Sequence, residues 1–177
     1  MSSAARSLAF ALLGGSIVTA PGCVNNPVHD DQVDALGPED PAVSPGPNHR
    51  PGQPCLVCHG PFGPASVEFA VAGTVYEAAG QPQPAVGAVI RIEDVTGSTV
   101  TSSTNATGNF YVLLRDFAPT YPLETAVSSA GGGIVQTMQG YVARNGSCAS
   151  CHTKEAGPSS AGPVVISVGI ADAATKG

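Results

Sequence analysis

The chain has 177 residues, a net charge of −6 and only 11% charged residues, with 22 Gly, 16 Pro and no Trp. That length suits one ordinary domain with attached segments. The acid excess argues against nucleic acid as a partner, because binding phosphate needs a basic patch. Abundant Gly and Pro with few aromatics suit short strands and turns better than long helices.

Met1–Arg6 is short and carries one positive charge, and Leu8–Val18 is an apolar run broken by Gly and Ser. Small residues Ala20, Pro21 and Gly22 then precede Cys23. This pattern predicts a signal peptide over 1–22, too short in its apolar part to span a bilayer comfortably. The small residues before the Cys resemble the lipobox of bacterial lipoproteins. That resemblance implies removal of the signal, lipidation of Cys23, and a protein held on the periplasmic or cell-surface side of a bacterial membrane.

Residues 23–54 form a Pro- and Asp-rich stretch; from Val24 to Pro54 it holds seven prolines, five acids and one base, Arg50. No period of 2 or 3.6 is visible, so the expectation is an extended, disordered tether.

Cys55-Leu56-Val57-Cys58-His59 follows, with Cys148-Ala149-Ser150-Cys151-His152 near the other end. Cys-x-x-Cys-His reads as c-type haem attachment. Two thiols three apart on one turn can each add to a vinyl group of one porphyrin, and the adjacent His can supply the proximal nitrogen to iron. Five cysteines divide into one lipid site and two thioether pairs with none left over. Both pentapeptides resemble the haem sites of multihaem cytochromes c. The resemblance implies two covalently bound haems c, attached outside the cytoplasm, and other redox proteins as partners. The expected role is electron carrier, not substrate-converting enzyme.

For the sixth iron ligands the mature chain offers His29, His49 and Met138. His49 lies six residues before Cys55 and Met138 ten before Cys148. One arrangement pairs His59 with His49 and His152 with Met138; a Met ligand raises the haem potential. His49 could also serve the second haem. Tyr76, Tyr111, Tyr121 and Tyr141 are expected to pack, not to relay electrons.

Between the motifs, strands are expected near 68–77, 86–95, 98–104, 109–115, 121–129 and 133–142, with a seventh, edge strand over 163–169. Phe69, Val71 and Val75 share one face at period 2; Ile90 and Ile92 oppose Arg91 and Glu93; Phe110, Val112 and Leu114 alternate with Tyr111, Leu113 and Arg115. Short strands with regular turns argue for a mainly β, antiparallel, Greek-key-type sandwich. Six strands is an even number, so both motifs should meet at one end of the domain. Gly73-Thr74-Val75, Gly87-Ala88-Val89, and Thr104-Asn105 with Gly108 and Phe110 resemble the carboxypeptidase regulatory-like domain, with Asn105 in the usual Asp position. The resemblance covers roughly 67–143 and implies a prealbumin-like scaffold without peptidase activity. The resulting organisation is a signal peptide (1–22), a lipidated tether (23–54), a first haem segment (55–66), the sandwich (67–143), and a second haem segment with a C-terminal strand (144–177).

Two other readings remain open. The chain could be a cell-surface binding or structural module whose Cys pairs hold one zinc or form disulfides. It could also be a haem-based sensor with a vacant sixth position.

Overall fold

A computed structural model describes residues 26–80 and 83–167. Cys23 and the signal segment lie outside the described residues. Among the described residues no helix is long and apolar enough to cross a membrane.

The strands are β1 (Phe69–Ala78), β2 (Val89–Asp94), β3 (Thr99–Ser103), β4 (Asn109–Leu113), β5 (Leu123–Ser128), β6 (Val135–Thr137), the two-residue β7 (Ala156–Gly157) and β8 (Ser160–Ala161), and β9 (Val164–Ser167). One sheet has the order β4-β1-β9 and the other β3-β2-β5-β6, with β7 and β8 a separate hairpin. Ala70, Val71, Val75, Phe110, Val112 and Ile166 from the first sheet meet Ile90, Ile92, Leu123 and Val127 from the second in one buried cluster. The fold is therefore the expected mainly β sandwich, because period-2 strands bury alternate side chains on a common layer.

Three details differ from expectation. β9 is an edge strand, but it pairs parallel to β1, Val75 opposite Val164. β6 is only three residues long. Phe69 does not share a face with Val71: the pairing of β1 with β4 slips between them, from Phe69–Leu113 to Val71–Val112. Such a bulge inserts one residue and turns the side chain before it to the opposite face. Ala70 and Val71 both join the core, while Phe69 stacks on the outward Tyr111.

The expected tether holds more local structure than its composition suggests. Helix α1 (Pro27–Ala35) starts at Asn26, whose side chain accepts the His29 N–H, with Pro27 in the first turn. These are helix-start signals. None of its residues is buried, which is why no apolar stripe marks it. Arg50 gathers the segment, donating to the Leu36 and Gly37 carbonyls and pairing with Glu39 at 3.2 Å.

Asp94 closes the β2–β3 turn. Its carboxylate accepts from the Thr120 N–H, the Thr96 hydroxyl, and the Thr96 and Ser98 N–H groups. The Thr120 bond first, then the others, hold its pKa down to about 2. A depressed carboxyl pKa stabilises the fold above the unfolded value, about 3.9, and that contribution is lost as pH falls through the folded value. Asp94→Asn is therefore expected to lower the melting temperature by a few degrees at pH 7. In thermal melts across pH the gap should shrink between about pH 4 and 2. A gap that persists unchanged to pH 2 would mean that Asp94 acts through shape alone.

Candidate functional site

The first motif winds into helix α2 (Leu56–His59), with His59 N–H donating to the Cys55 carbonyl at 2.9 Å. That turn brings Cys55, Cys58 and His59 to the wall of one cavity of about 420 Å³, shared with His49, Phe69 and Tyr111. The cavity lies against the outer face of β4, where Asn109, Tyr111 and Leu113 point away from the core. Its volume falls in the range that holds cofactors, about 300–1,000 Å³. His49, expected as a spare ligand, stands beside His59 with ring centroids 5.8 Å apart. Imidazoles with centroids at that spacing can share one metal atom when their ring nitrogens face each other, each bond spanning about 2 Å.

The second motif forms a 3-10 turn (Cys148–Ser150), with His152 N–H donating to the Cys148 carbonyl at 2.8 Å. Cys148, Cys151 and His152 line a second cavity of about 500 Å³ that reaches between the sheets to Val71, Val75 and Phe110. Met138 lines the same cavity, its sulfur 3.5 Å from the Thr125 hydroxyl. His49 and Met138 thus line the cavities of the motifs that sequence order paired them with.

The histidines are oriented in one way. His59 Nδ1 bonds the Val67 carbonyl at 2.8 Å, His152 Nδ1 bonds the Gly162 carbonyl at 2.9 Å, and His49 Nδ1 bonds the Gly46 carbonyl. A carbonyl only accepts, so Nδ1 is the donor, and in the neutral imidazole Nε2 is then the nitrogen with the lone pair. This is how metal-ligating histidines are usually held. His29 is placed apart: it packs edge-on to Phe62 at 6.4 Å, in a third cavity walled by Leu56 and Val57 on another face of α2. Its Nε2 is buried without a hydrogen-bond partner.

No disulfide joins any of the four motif cysteines. Burial lifts Cys55 to about 11 and Cys148 to about 12, and raises Cys58 as well. A redox-active Cys-x-x-Cys pair uses a lowered thiol pKa, the opposite of the direction at Cys55, Cys58 and Cys148. Among the described residues no three His, Cys, Asp or Glu side chains converge as a metal-ion cage requires.

Both motif segments meet β1 within three residues. Gly52 N–H donates to Thr74 Oγ1 at 2.7 Å, and Ala72 N–H donates to the Gly146 carbonyl at 2.9 Å. Three strand residues span about 7 Å, so the two motif segments share one stretch of β1, the first through the Thr74 side chain and the second through backbone pairing at the strand edge.

Thr74 and Asn109 were not legible as site residues. Asn109 donates from Nδ2 to the Pro47 and His49 carbonyls and accepts from Thr74 Oγ1 at 2.7 Å. Together they clamp the His49 loop onto β4 and β1. The available signal was the Asn105–Asn109 turn, where two amides flank Gly108. Of the tyrosines, Tyr121 reaches the Ala70 carbonyl at 3.4 Å and Tyr76 meets Gly52, as packing residues do. No protein family, curated protein or solved structure matches this chain.

Proposed function

We propose that the chain is an exported dihaem cytochrome c, anchored through lipidated Cys23, that transfers electrons between redox proteins. One observation carries this reading: each Cys-x-x-Cys-His turn faces its own cavity, with the Nε2 lone pair of its His left available by a backbone bond to Nδ1. Cys55 and Cys58 would hold one haem c and Cys148 and Cys151 the other. His59 and His152 would supply the motif ligands to iron, with His49 and Met138 as the further ligands at the same two sites. The bound group supplies one-electron chemistry. The chain's own residues would set ligand orientation, exclude water and tune potential; a second His at the His59 site and a Met at the His152 site would make the second site the higher-potential one. The sandwich is a scaffold of carboxypeptidase regulatory-like type and performs no reaction.

The test is the intact mass of the mature protein made with haem-maturation machinery. It should equal the chain from Cys23 onward, plus acyl chains and two haems. A reduced-minus-oxidised spectrum should show c-type bands. A mature chain without covalent haem, under conditions that load a control cytochrome, sinks the proposal. Zinc or disulfides would then be the reading to pursue.

A further inference from the structure

We infer that Phe69 is a positioning residue that fixes the rotation of the His59 imidazole about its bond to iron. The inference rests on the haem reading of the first site. Phe69 lies flat on His59, ring centroids 4.1 Å apart and planes 12° from parallel. Its other face is covered by Tyr111, at 4.8 Å and 14°. Offset parallel stacking of this kind is favourable and resists tilting. The Nδ1 bond to Val67 fixes which edge of the imidazole faces the cavity, but it leaves the ring free to swing about the Nδ1···O line. The Phe69 face removes that freedom. Two residues apart on one chain segment, Val67 and Phe69 hold the same ring from its edge and from its face.

The arrangement depends on the slip in the β1–β4 pairing. In regular alternation Phe69 would point inward with Val71. The extra residue sends it outward onto His59, and bulges beside functional sites serve to re-aim a side chain in this way. Burying Phe69 in the core would have been the simpler use of an apolar ring. The second motif provides an internal comparison. His152 has the equivalent bond to Gly162, and among the described residues no aromatic ring stacks on it.

The orientation of an axial imidazole sets which iron d orbital its π system overlaps, and so the low-spin ferric g-values. His49 and His59 planes meet at 40°, and that angle depends on keeping His59 still. The experiment is low-temperature EPR of the ferric, haem-loaded protein, after haem content has been counted. The Cys148→Ala/Cys151→Ala double variant assigns the signals, since only the first site remains. Phe69→Leu should shift or broaden the first-site g-values and leave the second-site signal unmoved. Phe69→Tyr, which keeps a flat ring, should restore the original signal. The exposed substitution Tyr111→Leu, which loosens Phe69 from behind, should give a smaller change in the same signal.

In haem-free protein, the His59 ring protons should carry an upfield shift from Phe69 that Phe69→Leu abolishes. A chain with two haems and unchanged first-site g-values in both Phe69→Leu and Tyr111→Leu overturns the inference and leaves the haem reading standing. A mature chain without haem overturns that reading and this role with it.

Discussion

Gly73→Val is expected to unseat the second motif and lower the melting temperature, while the first site keeps its spectrum. A side chain built at Gly73 would place its first carbon 2.8 Å from Cys148 Cβ, 3.1 Å from the Phe110 ring and 3.2 Å from Cys148 Sγ. None of these neighbours can retreat easily. Phe110 belongs to the buried core. Cys148 follows Ser147, which pairs with Ala72 on β1, and Gly146 lies so close to the Ala70 carbonyl that it too has no room for a side chain. Valine favours a strand, so propensity alone would forecast stabilisation. Steric overlap in a packed core costs about 1–3 kcal/mol, and here it should win. If the second site holds haem as proposed, it should become partly high-spin and bind carbon monoxide as His152 or Met138 withdraws. Haem content serves as the control, because on the proposed reading covalent attachment would depend on the pentapeptide and not on its packing. A Gly73→Val protein with wild-type melting temperature and two low-spin haems would show that the segment docks elsewhere.

How much of this was legible depends on the range of the interaction that decides it. β2 and β4 follow from local alternation: Ile90 and Ile92 against Arg91 and Glu93, and Phe110 and Val112 against Tyr111. One buried face suffices to fix such a strand. The two Cys-x-x-Cys-His pentapeptides were visible because their residues are adjacent in sequence, and each lines one cavity. The facing of Phe69 was not, since a bulge is a property of two strands in register and Phe69-x-Val71 alternates well on its own. The parallel pairing of β9 was hidden for the same reason: composition marks a strand but not its neighbour. Helix α1 was missed because its start signals, Asn26 and Pro27, are not followed by an apolar stripe. The clamp on His49 joins Asn109 to carbonyls about 60 residues earlier, with separations of 62 and 60. No local pattern reports contacts at that range.

That clamp makes the remaining prediction. On the proposed haem reading, His49→Ala is expected to convert the first site toward high spin, and Asn109→Ala should do the same in part although that reading gives residue 109 no bond to iron. His49 sits in a Pro- and Gly-rich loop with no regular structure of its own. Its position rests on the Asn109 amide, which holds the Pro47 and His49 carbonyls, and on Asn105 Nδ2, which holds Pro47 at 2.6 Å. Removing the Asn109 amide leaves the His49 carbonyl without that partner and takes the acceptor from the Thr74 hydroxyl. Each buried polar group left unpaired costs about 1–3 kcal/mol. A loop held by a few bonds should then populate open states in which His49 leaves iron. The two variants separate by rescue. Added imidazole should restore the low-spin spectrum of His49→Ala, where a ligand-sized space remains, and restore Asn109→Ala less completely because the loop competes for it. Asn109→Asp, which keeps an acceptor for Thr74 but loses both donors, should resemble Asn109→Ala. An unchanged low-spin spectrum in His49→Ala would remove His49 from the first site and leave the Asn109 clamp a purely structural contact.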